Sequence, residues 1–201
     1  MRVDLTEDQE LFRETTARFL ADKAPVALLR ERRDDPAGFD PDYWRQGAEL
    51  GWTSLLVAEE HGGGSVSGQG LVDLSLVAHE LGAAAAPGPL LPTAVVAGAL
   101  GAAGGPAELL AGLLAGTSVA TWCFGAAGPH SGRAASDISV GRDGSELVVD
   151  GVTRPVESAG AASHLLVTGR TGDGVTQVDV PTDTPGVKNT PLRTIDLNRR
   201  F

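Results

Sequence analysis

Cysteine is nearly absent from this 201-residue chain, which contains only Cys123. A single thiol excludes an internal disulfide and any metal site built from several cysteines, and it fits a reducing compartment. The four histidines are scattered, without the spacing that metal ligands need. The sequence therefore predicts no metal site.

Basic residues are also scarce, and only Lys23 and Lys188 are lysines. The 16 basic residues face 26 acidic ones, which gives a formal net charge of -10 and a pI near 4.7. Nucleic-acid binders need clustered positive charge to neutralise phosphates. No nucleic-acid partner is expected.

The chain has one long uncharged run, from residue 81 to residue 107, but it is rich in Ala and Gly. Four prolines interrupt it, which favours a buried helical hairpin over a membrane span. The opening "MRVDLTEDQELFRE" is charged from its second residue and lacks the apolar core of a signal peptide. We expect a cytoplasmic protein without membrane contact.

Helix signals fill the first half of the chain. Thr6 followed by Gln9 is a capping-box pattern, and Pro25 marks the end of the first helix. One buried stripe is expected on that helix, formed by the pairs Leu11/Phe12, Thr15/Thr16 and Phe19/Leu20. A second short helix is predicted over residues 26–33.

Further start and stop signals follow along the first half. Asp40 before Pro41, with Gly51 at the far end, predicts a helix that buries Tyr43, Trp44 and Leu50. Apolar residues at helical spacing predict another helix, namely Leu71, Leu74, Val77 and Leu81. The segment 105–116, with Pro106 near its start, predicts the last helix.

Short runs rich in β-branched residues follow residue 117, separated by turn clusters such as "RDGS" and "RTGDG". The predicted strands lie within 119–124, 137–140, 146–152, 164–169 and 176–180. The fold class is therefore α+β. We predict an N-terminal α-helical bundle over 1–117 and a small antiparallel β-barrel-like domain over 118–201.

The stretch "VAEEHGGGSV" sets Glu59, Glu60 and His61 beside three glycines. It has three interpretations, a catalytic acid/base cluster, a phosphate cradle and a charged turn between helices, and the turn is favoured. Cys123 lies inside an apolar strand and is expected to be a buried hydrophobe. Trp122 and Phe124 flank it and are expected on opposite sides of the sheet, one of them bordering a ligand cleft.

Five stretches of the sequence, taken in this order, resemble the corresponding stretches of the acyl-CoA dehydrogenase family, and together they extend over essentially the whole chain. They are "LTEDQELFRETTARFLADKA", "ELGWTSLLVAEEHGGGSVS", "HELGAAAAPGPLLPTAVVAGAL", "LVVDGVTRPVESAGAASHLLVTGRT" and "PGVKNTPLRTIDLNRRF". The resemblance implies a helical N-terminal domain and a β-barrel-like middle domain. The family's C-terminal helical domain, which carries the catalytic glutamate in most members, has no counterpart in these 201 residues.

The resemblance also implies a reaction, the α,β-dehydrogenation of an acyl-CoA thioester with FAD as hydride acceptor. An electron-transfer flavoprotein-like acceptor and a homo- or hetero-oligomer are implied as partners. No residue of this chain matches the family's catalytic base, so no catalytic residue is assigned. The chain by itself is expected to be inactive.

In the family, two sequence motifs hold the flavin, and both are altered in this sequence. The first family motif is typically Thr-Glu-Pro-x-x-Gly-Ser, and here Gly125 stands at its threonine and Ser131 at its serine. The second motif is Trp-Ile-Thr or Trp-Ile-Ser, and here Pro155, Val156 and Glu157 stand at those three positions. Backbone amides near Phe124 and Gly125 remain available to a ring edge, and a one-residue shift would bring Ser158 to the hydroxyl position. The candidate cofactor residues are Phe124, Gly125, Ser131, Val156 and Glu157, and Ser131 is also a candidate for substrate contact.

These departures leave alternatives open. A proline offers no aromatic face, and a carboxylate beside a flavin opposes the negative charge gained on reduction. The chain is then either a divergent flavin-binding dehydrogenase or a non-catalytic partner subunit of a heteromeric member. A flavin monooxygenase on the same fold is a third, weaker possibility.

Overall fold

A computed structural model describes residues 4–124 and 137–201 of the chain. Within these ranges, α-helices come first and β-strands follow. The helices are α1 (Glu7–Lys23), α2 (Val26–Glu31), α3 (Pro41–Glu49), α4 (Gly70–Ala83), α5 (Leu90–Ala103) and α6 (Ala107–Leu114). The strands are β1 (Ala120–Cys123), β2 (Ser139–Asp143), β3 (Glu146–Asp150), β4 (His164–Thr171) and β5 (Gly174–Pro181).

The capping box that starts α1 is confirmed. The Gln9 amide donates to Thr6 Oγ1 at 3.2 Å, and the Thr6 amide donates to Gln9 Oε1 at 3.1 Å. The expected stripe is only partly right, because Thr16 and Leu20 are buried while Leu11 is 60% exposed. Adjacent helical residues point about 100° apart, so one member of a pair often leaves the buried face.

The predicted ends of α3 are also confirmed. Asp40 caps the helix by accepting from the amides of Asp42 at 2.8 Å and Tyr43 at 3.3 Å, and Gly51 follows the end with φ +95°. Two other predictions need correction: α2 ends at Glu31, two residues early, and Leu71 of α4 is 71% exposed. Leu71 lies in the first turn of α4, away from the packed face.

An aromatic cluster forms the centre of the helical half. Phe19 packs edge-on against Trp52 with ring centroids 5.4 Å apart, and Tyr43 lies 6.0 Å from the same ring. Trp52 is fully buried, and its Nε1 donates to Thr16 Oγ1 at 3.2 Å. A Cβ on Gly47 would lie only 2.3 Å from the Trp52 ring, so this glycine lets the indole pack directly on α3.

A fully buried carboxylate joins α1, the glycine-rich loop and α4. Asp73 Oδ1 accepts from Gln9 Nε2 at 2.9 Å and from Ser67 Oγ at 2.8 Å, while Oδ2 accepts from the Ser67 amide at 3.0 Å. Buried charge is tolerated only when such bonds replace its hydration. The side chain that caps α1 therefore also anchors α4.

The sheet is mixed, so the prediction of an antiparallel domain is wrong in that respect. Strand β4 pairs with β1 and β2 in parallel and with β5 antiparallel, and β2 pairs with β3 antiparallel. Because β5 takes the whole of one edge of β4, β1 and β2 share the other. Among the described residues the sheet is open, and it does not close into a barrel.

One face of the sheet packs on the helices. Leu166 of β4 and Ala120 of β1 lie in one buried cluster with Val57, Leu100 and Leu113. The uncharged run contains the end of α4 and all of α5, whose residues Ala97 and Leu100 are buried. In the part of the chain that the structure describes, no helix is both long and apolar enough to cross a membrane.

We predict that Asp73→Ala lowers the free energy of unfolding by about 2 to 4 kcal/mol, because the donors of Gln9 and Ser67 lose a buried acceptor. Urea unfolding followed by tryptophan fluorescence measures this loss. The exposed Glu14→Ala on α1 is the matched control and should change the value by less than about 0.5 kcal/mol. Equal losses in the two variants would contradict the role given to Asp73.

Candidate functional site

The structure brings the end of β1 beside the segment 155–158, which stands well beyond it in the sequence. Thr121 Oγ1 donates to the Glu157 carbonyl at 2.6 Å, across 36 positions. Val156 packs against a buried cluster formed by Cys123, Ile138 and Val167. Strand β1 therefore contacts the second predicted flavin motif at Val156 and Glu157.

Phe124 is the exposed member of an aromatic pair at the end of β1. Its ring centroid lies 4.6 Å from that of Trp122, and the indole Nε1 donates to Thr168 Oγ1 at 2.8 Å. The expectation that these two rings face opposite sides of the sheet is wrong, because residues two apart on a strand share a face. Phe124 remains 57% exposed, on the face of the sheet opposite to the one on which Val156 packs.

Val156 also lines a large cleft, with a volume of about 1210 Å³. The cleft lies between the sheet and the segment that follows β5, and its floor includes Cys123, Val167 and Val178. This is not the face on which Leu166 meets the helices. The side chain of Val156 thus contributes to packing on the sheet.

Glu157 has a half-buried carboxylate with a cationic neighbour. Arg199 Nη1 lies 3.9 Å from Glu157 Oε2, and Arg199 Nε also donates to Asp196 Oδ2 at 3.1 Å. Burial raises the pKa of Glu157 above its ordinary value, Arg199 offsets part of the rise, and Asp196 adds to it. The carboxylate is held in place, yet its charged form is disfavoured.

The backbone of this segment is already hydrogen-bonded within the chain. The Ser158 amide donates to the Arg200 carbonyl at 2.7 Å, and the Ser158 carbonyl accepts from the Ala161 amide at 3.0 Å. Ser158 is only 8% exposed and has φ +59°. Much of the polar backbone of residues 157–158 is therefore already occupied.

The described residues fit a flavin ring poorly. Pro155 has neither an aromatic ring nor an amide hydrogen, Val156 packs into the cluster on the sheet, and Glu157 presents a carboxylate paired with Arg199. Gly125 and Ser131, the other two candidates, lie outside the described residues. By themselves, the described residues of the two flavin motifs do not form a site for the flavin ring.

The acidic stretch near residue 60 is a turn between α3 and α4, as predicted. Residues Glu59–His61 form a single 3-10 turn, and all three side chains are exposed. A Cβ on Gly63 would lie 2.1 Å from the Val57 carbonyl oxygen, so the glycines serve the close turn. This geometry favours the structural interpretation of the stretch over an acid/base cluster.

Sequence reasoning missed Asp196, Arg199 and Arg200, which meet the site from the end of the described chain. Residues 157 and 158, which they contact, lie far away in the sequence, so no local sequence pattern predicts these contacts. In ranges 4–124 and 137–201, no three His, Cys, Asp or Glu side chains form a set that could hold a metal ion.

We predict that the folded protein protects Cys123 from thiol reagents. The side chain is 4% exposed, and burial raises the pKa of its thiol to about 11. At pH 8 a disulfide reagent such as dithiobis-nitrobenzoate should react on the order of a hundredfold more slowly than with a free thiol. One equivalent should appear on unfolding, and rapid reaction of the native protein would contradict the buried position.

We predict that Glu157→Gln raises the melting temperature by about 1 to 3 °C at pH 7. A carboxyl whose pKa is raised by folding contributes stability below its unfolded pKa and loses it as the pH rises through the folded pKa. The gain should therefore shrink as the pH falls toward the ordinary glutamate range. The exposed Glu146→Gln is the control, and a gain that persists in acid would contradict the burial of Glu157.

Comparison with known proteins identifies the fold and its relatives. The model of the acyl-CoA dehydrogenase N-terminal domain matches residues 6–117. Acyl-CoA dehydrogenase IpdE2 of Mycolicibacterium smegmatis is 38% identical over 90 residues, which cover 44% of this chain and 28% of that protein. The matched residues of IpdE2 are thus a minor part of its length.

Solved structures also match nearly the whole chain. A variant of the Tcur3481-Tcur3483 steroid ACAD superposes with a TM-score of 0.85 and 28% identity, covering 96% of this chain and 53% of that one. The ChsE4-ChsE5 complex of Mycobacterium tuberculosis superposes with a TM-score of 0.83 and 25% identity, and the match covers 100% of this chain and 54% of that one. The chain spans about half the length of these solved chains, and with its helical half matched by the family model it belongs to the acyl-CoA dehydrogenase family.

Proposed function

We propose that this chain is part of an acyl-CoA dehydrogenase that introduces an α,β double bond into an acyl-CoA thioester, with FAD as the hydride acceptor. The observation that carries the proposal is the match of the family model to residues 6–117 together with the TM-score of 0.85 to a steroid ACAD. Substrates from fatty acid or steroid side-chain catabolism fit this kinship. The single cysteine fits a cytoplasmic location.

In this proposal, the chain contributes residues that border the site, and none of them is assigned a catalytic role. Strand β1, which leads into the first flavin motif, contacts the segment 155–158 through Thr121 and Cys123. The catalytic base and much of the flavin contact would come from the rest of the enzyme or from a partner subunit. An electron-transfer flavoprotein-like acceptor would reoxidise the flavin in the complete assembly.

A second candidate function is a non-catalytic partner subunit that has lost its own flavin site. The observation that favours it is local: Pro155 replaces a ring, Glu157 is paired with Arg199, and the amide of Ser158 is bonded to Arg200. Kinship points the same way, because two of the solved relatives are named as pairs of chains. In this case FAD would be held by the partner chain.

One purification distinguishes the two candidates. The protein is expressed at its full native length, alone and together with a homologous chain encoded beside it. The flavin absorbance band is recorded for both preparations, and each is then mixed anaerobically with acyl-CoA thioesters of several chain types. Bleaching of the band reports hydride transfer from the thioester.

The dehydrogenase proposal expects a yellow protein whose band is bleached by a thioester. If the protein alone is colourless and the pair is yellow and active, the partner-subunit function replaces a self-sufficient flavin enzyme. Flavin content in the single protein would instead exclude the partner-subunit function. Absence of flavin and of thioester-dependent bleaching in both preparations would overturn the two candidates together.

A further inference from the structure

Arg200 reaches across the molecule into the helical half. Its guanidinium donates to the carbonyl oxygens of Arg32 and Arg33, each at 3.1 Å, and to that of Asp35 at 3.4 Å. A fourth bond goes to the Leu197 carbonyl at 2.8 Å. The first three contacts join residues 165 to 168 positions apart in the sequence.

The carbonyls that receive Arg200 follow the end of α2. The last carbonyls of a helix have no partner within it and carry partial negative charge, so a cation placed there is stabilising. Helix α2 ends at Glu31, and Arg32 follows it. Arg200 therefore binds the C-cap residue of α2 and fixes the loop that leads to α3.

Space for this side chain is provided by Gly38 in the loop over residues 32–40, the α2–α3 loop. A Cβ at Gly38 would lie 3.0 Å from both Cγ and Nε of Arg200, and the residue has φ +74°. A larger residue there is strained by its backbone and crowds the arginine as well. The α2–α3 loop is thus shaped to receive Arg200.

The backbone of the same residue holds the candidate site. The Arg200 carbonyl accepts from the Ser158 amide at 2.7 Å, and its neighbour Arg199 lies 3.9 Å from the Glu157 carboxylate. Glu157 is in turn bonded through its carbonyl to Thr121 of β1. The dipeptide Arg199–Arg200 therefore touches the α2–α3 loop on one side and residues 157–158 on the other.

We propose that Arg200 is a positioning residue that couples the α2–α3 loop to residues 157–158 at the candidate site. The side chain sets where the dipeptide lies, and the dipeptide sets where the Ser158 amide and the Glu157 carboxylate lie. An arginine suits this task because its planar fork serves several carbonyls at once, whereas a lysine offers a single ammonium. The relevance of the coupling to catalysis rests on the proposed function, but the coupling itself does not.

The test is a double-mutant cycle read at the Ser158 amide by NMR hydrogen exchange. Arg200→Ala should raise the exchange rate at Ser158 about tenfold, and Arg200→Lys should raise it less. Gly38→Ala, which acts in the helical half, should also raise it. In the Arg200→Ala background, Gly38→Ala should have no further effect at Ser158, because the link is already broken.

A readout at Glu157 separates positioning from general stability. When Arg200 is removed, Arg199 loses its fixed place, so the carboxyl of Glu157 should titrate at higher pH than in the wild type. The exposed Arg193→Ala in the same segment is the matched control and should change neither quantity. Arg200→Lys serves for both measurements if Arg200→Ala fails to fold.

Three results would overturn the proposal. The first is a change in exchange at the α2–α3 loop, but not at Ser158, in Gly38→Ala. The second is additive effects of Gly38→Ala and Arg200→Ala at Ser158. The third is a uniform rise of exchange through β4 and β5 with an unchanged titration of Glu157. None of these would alter the outcome of the flavin and thioester experiment, so failure of the coupling and failure of the proposed function are distinguishable.

Discussion

The pairing of β4 along both of its edges is the constraint on which the rest of the structure depends. Strand β5 occupies one edge over its full length, so β1 and β2 must share the other in succession. Leu166 then faces the helices and joins the sheet to their core. This arrangement fixes the end of β1 beside the helical half, and Thr121 holds residue 157 next to it. The candidate site is a consequence of how one strand is paired.

Basic residues are few in this acidic chain, and two of its arginines are engaged close to the site. Arg199 faces two carboxylates, while Arg200 binds carbonyl oxygens at the end of α2. The same contacts occupy polar groups of the segment 155–158, notably the Ser158 amide. Stability of the region and weak fit to a flavin therefore have one origin.

Local features were predictable from the sequence, whereas long-range ones were not. The caps at Thr6 and Asp40 and the locations of the described strands follow from spacing and turn chemistry within a few residues. The parallel pairing of β1 with β4 depends on tertiary order that periodicity does not encode. The contacts of Arg200 with the helical half join residues up to 168 positions apart, and their local sequence carries no signal. The resemblance named the family, but it did not show which polar groups were already occupied.

The most direct measurement is a hydrogen-exchange footprint, by mass spectrometry, of the assembled flavin-loaded enzyme against the chain alone. If the end of β1 and the segment around residue 157 form one site, peptides covering 119–124 and 155–162 should become protected together on assembly. The tip of the β2–β3 hairpin, residues 142–146, does not line the cleft beside Val156 and should be unchanged. Protection of the hairpin, with neither of the two segments affected, would contradict the location of the site.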